Sequence, residues 1–525
     1  MALPAEGQIS MNDVNVELGY TGTAQIALND AAVRTLAQVP SGAISLDNLH
    51  GKSNIPVSSG LVGWYDTGSV SGSTWTDKSG NGNNATITGA SVTSTSGNGA
   101  SNLTSALYGS STAHGVSWPA AILPSTYTMF HVTRYTGSNN GRIIQGQTQN
   151  WLDGHWNGQS GVAYHNGWLT YYYGKLYNND WGLSTSTNSS FRTYGAPRTF
   201  GGGGSPSYDR LTININPAVG TGENSTWMCA EVIVYNRTLN STEIASMESW
   251  LATKYGISLL SATYSSDYFI LGGGGGGGSG PSDNGGGGGG GGGIVNTSAT
   301  LTAGTNYSTY VGAGGSSSDG GWSYFNGTYA WGGGKGGNYQ TAGNPGGGCG
   351  GGGGRDGGTS NGGAGGQGYA GGASGGYSWS SAGGGGGAGG VGYNGVFPDY
   401  NAWNGSAGTG GIGAIYGISG NNLYWAGGGG GAWQTGGNGV PLGNSGGGGN
   451  GCNANVNGGS GTANTGGGGG AAQYSTPGNG GSGIVIVRYV GSKARAQGGG
   501  YVGQYTVGGT TYTIHIFYSS DTYYG

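Results

Sequence analysis

The sequence predicts a mainly β protein in which a small helical N-terminal anchor precedes a β-sandwich and then a glycine-rich domain of packed polyglycine-type extended helices with short strands. Three textures predict it. Glycine fills residues 272–483 in blocks of up to nine, yet the stretch carries Trp322, Trp331, Trp379, Trp403, Trp425 and Trp433, which a flexible linker would not. From 55 to about 261, β-branched and aromatic runs alternate with Gly, Asn, Ser and Pro clusters. Residues 1–53 repeat a helix-start signature. The chain is therefore divided into 1–54, 55–261, 262–490 and 491–525, the last a C-terminal β-hairpin.

The repeat comprises Ile9-Ser10-Met11-Asn12-Asp13, Ile26-Ala27-Leu28-Asn29-Asp30 and Ile44-Ser45-Leu46-Asp47-Asn48, spaced by 17 and 18 residues. Ser10 with Asp13, and Ser45 with Asn48, set short acceptors beside open helical amides, and Ala31–Ala37 reads as a helix with Val33 and Leu36 on one face. So short a module buries little surface and is expected to fold fully against a partner. In the second region, 61–65, 127–135, 142–146, 210–214 and 228–235 read as strands of a sandwich. Ser241-Thr242-Glu243-Ile244, with Met247, Trp250 and Leu251 at helical spacing, opens a capped helix ending near Gly256. In the third, 294–315 holds two strands and 484–489 a closing one. Glycine runs between them can pack backbone on backbone as extended left-handed helices of about three residues per turn. Residues 505–517 alternate around Gly508-Gly509 as a hairpin.

Sixteen Lys and Arg against twenty Asp and Glu leave a net charge of −4. Such a surface does not neutralise a phosphate backbone, which argues against nucleic acid. Contacts made through Asn, Ser, Thr and Tyr suit a neutral ligand such as glycan. Cys229, Cys349 and Cys452 are too few and too far apart for a disulfide framework or a metal pair, and read as free packing thiols. The start, MALPAEGQIS, has neither the basic nor the apolar segment of a signal, and no apolar run reaches about 18 residues. The expectation is a chain neither exported by an N-terminal signal nor inserted in a membrane.

The strings GQISMNDVNVELG and IALNDAAVRTLAQVPSGAISLDNLHGKS resemble the N-terminal module of tailed-bacteriophage structural proteins, tail fibres included. The resemblance implies an N-terminus docked on the particle, with Ile9, Met11, Ile26, Leu28, Ile44 and Leu46 as anchoring candidates. Trp64-Tyr65, the run from Trp75 through Asp77-Lys78-Ser79-Gly80-Asn81 to Asn83, and Ala230-Glu231-Val232-Ile233-Val234-Tyr235-Asn236-Arg237-Thr238-Leu239 resemble the laminin-G-like, concanavalin-type jelly roll. Such domains mostly bind or space, often with sugar ligands and sometimes calcium, for which Asp66 and Asp77 are candidate ligands; no other cofactor is expected. Tyr310-Val311-Gly312-Ala313-Gly314-Gly315, Trp322-Ser323-Tyr324-Phe325-Asn326-Gly327 and the closing Ile484-Val485-Ile486-Val487 resemble the glycine-rich domains of phage tail fibres and adhesins. There the glycine runs form a lattice and the joining loops touch the receptor. That makes Tyr377, Trp379, Tyr400, Trp403, Tyr424, Trp425 and Trp433 the receptor-binding candidates, with capping of the lattice as the alternative role.

No tight acid cluster of the glycosidase kind, and no Ser-His-Asp or Cys-His signature, is present, so no enzyme is expected. Glu231 stands alone on its strand. Asp153 and His155 form an Asp-x-His pair, readable as metal ligands or an acid and base, or as strand packing with Trp151 and Trp156 inward. His165, Trp168 and Tyr172 lie in the most aromatic stretch of the sandwich and are candidates for glycan binding or for core. Tyr324, Phe325 and His515 read as structural. The expected function is that of a bacteriophage virion protein, a tail fibre or receptor-binding adhesin assembled as a homotrimer in the host cytoplasm. It would dock on tail or neck proteins and bind a host-surface glycan or outer-membrane protein. The alternatives are a capsid or neck decoration fibre and, in a different class, a surface-polysaccharide depolymerase.

Overall fold

The computed structural model describes the chain apart from residues 1–2, 4–5, 19, 21–22, 51, 53, 121, 171–178, 202–208, 282–283, 356–359, 377–380, 397–404, 434–441, 453–454 and 494. It is mainly β, as the sequence predicts, and forms two compact units, Met1–Ala262 and Thr263–Gly525. No helix among the described residues is long and apolar enough to cross a membrane.

In the first unit, Met11–Glu17, Ala31–Ala37 and the 3-10 turn Leu46–Leu49 fall where the repeat places them. The Asp13 amide donates to Ser10 Oγ while the Ser10 amide donates to Asp13, and Ser45 and Asn48 make the same reciprocal box. The apolar faces so fixed close on Ile9, Val14, Val33, Leu36 and Leu49. The sandwich that follows has two eight-stranded sheets. Ser225–Tyr235 is buried along its whole length at the centre of one, paired with Thr128–Asn140 on one side and with Ser105–Gly109 and Leu61–Asp66 on the other. The second sheet includes Trp151–Trp156 paired with Gln159–His165. Alternation splits each strand between two cores. Tyr65, Met129, Val232 and Val234 meet Trp75, Trp118 and Trp151 between the sheets, whereas Trp64, Phe130, Ile233 and Tyr235 pack under Ser241–Tyr255. That helix is capped by an Asn240–Glu243 box and stopped by Gly256 in the left-handed region at φ 66°.

In the second unit, Thr263–Leu271 lies between Ile294–Thr302 and Ile484–Val490 in a five-stranded antiparallel sheet. The hairpin Tyr501–Val507 and Thr510–Phe517, turning at Gly508 and Gly509 with φ of 57° and 79°, extends that sheet from Ile484–Val490. The final strand, Asp521–Tyr524, pairs with Asn306–Tyr310 and completes a four-stranded sheet with Ser323–Phe325 and Thr328–Ala330. Both sheets contribute to one core: Tyr268, Val485, Val487 and Phe517 from the first with Phe325, Ala330 and Tyr523 from the second.

The glycine blocks are packed polyglycine helices. Along Gly272–Gly278 the amides rotate among three neighbours with a period of three: Gly272, Gly275 and Gly278 donate to the carbonyls of Gly293, Gly290 and Gly287, Gly273 and Gly276 to those of Gly321 and Ser318, Gly274 and Gly277 to those of Gly481 and Gly478, all at 2.8–3.0 Å. Gly286–Gly293 does likewise toward Gly337, Gly334 and Trp331, toward Gly383 and Gly386, and toward Ala472, Gly469 and Gly466. No glycine in either run has a positive φ. A net backbone hydrogen bond contributes about 1 kcal/mol, while ordering one residue's backbone costs about 1–2 kcal/mol. One such helix alone therefore does not pay its way, and several neighbours are required. Their closeness excludes side chains: a Cβ on Gly288 would overlap the Gly429 carbonyl oxygen, one on Gly277 that of Gly470, and one on Gly290 that of Cys349. The three cysteines are buried free thiols, as expected.

Gly288→Ala is expected to destabilise the second unit by about 3 kcal/mol or more through overpacking. Gly222→Ala, where a Cβ meets nothing within 4 Å, should change stability by less than about 0.5 kcal/mol. Differential scanning calorimetry of both variants checks this.

Candidate functional site

The sandwich holds two clusters of buried charge. In the first, Glu231 accepts from Trp64 Nε1 at 2.6 Å, from Tyr255 at 2.6 Å and from Lys254 Nζ at 2.9 Å. Lys254 also reaches Asp66 Oδ2 at 3.4 Å, which Lys78 meets at 2.9 Å while its ammonium lies 4.2 Å over the Trp64 ring. Burial pushes the Asp66 carboxyl up and the Lys254 ammonium down, but their mutual attraction, with Lys78 and Glu231, outweighs it. Asp66 therefore sits below, and Lys254 above, its ordinary value. Both stay ionised at neutral pH. Glu231, which the sequence reads as solitary, is thus the buried anion of an ion quartet. Its other three members, Asp66, Lys78 and Lys254, line a cavity of about 1050 Å³ that Val16 and Tyr20 also line.

Asp66 and Asp77 do not fit as calcium ligands. Lysine ammoniums occupy Asp66, and Asp77 accepts from the amides of Trp64, Ser79 and Asn83. Among the described residues no group of three His, Cys, Asp or Glu is placed to hold a metal.

The second cluster corrects the Asp-x-His pairing. Asp153 is bonded not to His155 but to His131 Nε2 at 2.9 Å and His165 Nε2 at 3.2 Å, since neighbours two apart on a strand share a face but not a partner. His131 passes through Thr133 to His155, and His165 contacts Tyr127 and stacks on Trp151 at 4.9 Å. Burial pushes the Asp153 carboxyl up, but the hydrogen bonds from His131 and His165 prevail and hold it below its usual range. Burial drives His155 down to about 3, with the His131 charge adding to it and Asp153 opposing. His165 is thus a buried network member and not an exposed sugar contact.

The other sequence candidates scatter. Tyr172, Tyr377, Trp379, Tyr400 and Trp403 lie outside the described residues. Trp168 is half-buried against Trp156 and Tyr164. On the short hairpin Ala414–Tyr416 and Leu423–Trp425, Tyr424 points outward, 42 % exposed, while Trp425 turns in against Phe269 at 5.2 Å. Trp433 is also buried, at the end of a glycine run. Trp425 and Trp433 are therefore corrected to core residues, because alternation and lattice closure bury them. Ile9 lies in the core of the N-terminal module, and Met11, Ile26, Leu28, Ile44 and Leu46 pack against it.

The exposed aromatic surface lies elsewhere, on the four-stranded sheet. Strand alternation sends Thr309, Ser323, Phe325, Ala330 and Tyr523 inward and Tyr310, Tyr324 and Tyr329 outward. Trp322 and Trp331 flank these strands. Tyr310, Trp322, Tyr329 and Trp331 are 38–47 % exposed and run in sequence: Tyr310 to Trp322 at 4.3 Å, Trp322 to Tyr329 at 5.3 Å, Tyr329 to Trp331 at 5.7 Å, with Tyr324 against Tyr329 at 4.8 Å. The sequence carries the signal in Trp322-x-Tyr324 and Tyr329-x-Trp331, two alternating aromatic pairs around Asn326-Gly327, and the loop-centred reading passes over it.

These features define a two-unit, mainly β protein with a buried, charge-stapled sandwich and an aromatic face on a glycine lattice. A family model described as a glycine-rich domain matches residues 253–490. No curated protein matches the chain. Similar solved structures include Trypanosoma rangeli sialidase in complex with sialic acid, at 18 % identity over 42 % of this chain and 36 % of that one with a TM-score of 0.29. The binding domain of Paraclostridial Mosquitocidal Protein 1 is similar at 15 % identity over 40 % and 58 %, TM-score 0.28, and the botulinum neurotoxin serotype D binding domain at 14 % over 41 % and 58 %, TM-score 0.29. The chain thus covers less than two thirds of each. Because sialidases are enzymes, the expectation that this protein is not one is withdrawn. A likeness of this extent assigns no activity in its place.

Two outcomes are expected. Lys254→Met leaves Glu231 buried without its cation and should cost about 3–5 kcal/mol in urea unfolding of the first unit. Asp153 and His155 both bind protons less readily folded than unfolded, so their stabilisation is complete above the unfolded His value. It should be lost as pH falls from about 6.5, first through His155 and then, at carboxylate pH, through Asp153. Melting temperature against pH should show that fall, and His155→Asn should flatten its upper part.

Proposed function

We propose that the protein is a surface-binding adhesin of the phage tail-fibre kind, which docks on a virion through its N-terminal module and holds the aromatic face of its glycine-rich unit toward a host cell. The observation that carries this reading is the row Tyr310, Trp322, Tyr329 and Trp331, large apolar rings left exposed on a rigid support. Aromatic side chains give wide contact area at low entropy cost. Homotrimeric assembly fits the fibre class and would multiply a weak site into avidity. The resemblance of residues 7–53 to phage structural modules supports attachment through the N-terminus. The Ile and Leu side chains of the repeat build the module's own core, so docking falls to its outward side chains.

The fluorescently labelled 525-residue chain is expected to bind a subset of strains in a bacterial panel, and the Trp322→Ala/Trp331→Ala variant to lose that binding by about tenfold. Flow cytometry reads both. Binding to no strain, or equal binding to all, contradicts the proposal.

A further inference from the structure

The outer face of the four-stranded sheet carries no charge. Its outward positions are Asn306, Ser308, Tyr310, Tyr324, Tyr329 and, on the last strand, Thr522 and Tyr524. Between 294 and 354 the sequence has only two ionisable Asp, Glu, Lys or Arg side chains, Asp319 and Lys335. Asp319 Oδ1 is already taken by the Lys335 amide and by Asn344. None of the outward sheet positions supplies a cation for a phosphate, sulfate or carboxylate, or an anion for a basic partner. What the face offers is ring area bordered by neutral hydrogen-bonding groups, with Asn306 and Ser308 exposed beside Tyr310.

The platform is also held in place by the lattice. The Trp331 amide donates to Gln367 Oε1 at 2.8 Å, Gln367 Nε2 donates to the Tyr329 carbonyl at 3.0 Å, and the Trp331 carbonyl accepts from Gly293 at 2.7 Å. Gly347 lies so close that a Cβ there would meet the Trp331 ring. Trp331 is thus locked to the glycine helix on one side and to Tyr329 on the other. A preorganised platform loses little freedom when it binds.

We infer that this face binds a neutral polysaccharide laid along Tyr310, Trp322, Tyr329 and Trp331, a reading that rests on the surface-binding function above and names its ligand class. Sugar C–H faces stack on the rings, and hydroxyls bond to Asn306, Ser308 and the tyrosine hydroxyls. The ring centroids step by 4.3–5.7 Å with interplanar angles of 31°, 63° and 15°, so the row presents both faces and edges along its length.

The test is affinity electrophoresis of the full chain in gels containing dextran, a β-glucan or a galactan, beside alginate and hyaluronate as anionic arms. At least one neutral polysaccharide should retard the protein. Trp322→Ala/Trp331→Ala should weaken that binding by at least about tenfold, Trp331→Phe should keep it within about threefold, and Tyr501→Ala, exposed on the other sheet, should leave it unchanged. Binding should vary less than about twofold between 0.05 and 1 M NaCl, because no ion pair is screened. Retardation by the anionic polymers alone, or loss of binding in salt, overturns the inference. So does a change of particle mass in the double variant by light scattering without any polysaccharide effect, which would make the face a contact between copies. If the protein binds cells and the double variant binds them equally, this face is wrong while the surface-binding function survives. If the wild type binds no cell at all, that function falls too.

Discussion

Backbone contact between glycine helices is the constraint on which the second unit depends. Each amide in Gly272–Gly278 and Gly286–Gly293 points to a different neighbour every residue and returns to the same one every third. This places the helices so close that only hydrogen fits at the Cα. The surplus of glycine is therefore a packing requirement and not a sign of flexibility. It also explains why aromatic side chains gather at the margins of the lattice: they either seal it, as Trp425 and Trp433 do, or stand on its surface, as Trp322 and Trp331 do.

The first unit solves its stability problem differently. It buries charge, and its two networks pair those charges across element boundaries. Lys254 from the helix ties Glu231 and Asp66 from two strands, and Asp153 from one sheet ties His131 from the other and His165 from its neighbour. Such groups contribute little net stability over an apolar core but make alternative pairings costly, because a slipped register leaves a charge without its partner. The two networks thus specify how the sheets and the helix meet.

Local signals were legible in the sequence and long-range ones were not. The capping boxes at Ser10 and Ser45, the helix start at Ser241-Thr242-Glu243, the stop at Gly256 and the turn at Gly508-Gly509 are encoded within a few residues, and those elements form where they read, although the third helix takes its cap from Asn240. The last strand, Asp521–Tyr524, pairs with residues more than two hundred positions away and leaves no local trace. Which neighbour each glycine run takes is likewise silent, since identical residues encode no register. The candidate site suffered from the same limit. Whether an aromatic faces in or out depends on one step of alternation in three-residue strands, and the step that exposes Tyr424 and Tyr329 buries Trp425 and Ala330.

The central claim is that the glycine runs form one ordered lattice which carries the aromatic face. Native-state amide hydrogen exchange on the full chain tests it directly. The account predicts that the amides of Gly272–Gly278 and Gly286–Gly293 exchange slowly and together, at the rate of the strands Thr263–Leu271 and Ile484–Val490 that frame them. Exchange of those glycines at the rate of a free chain, while the strands stay protected, would contradict it.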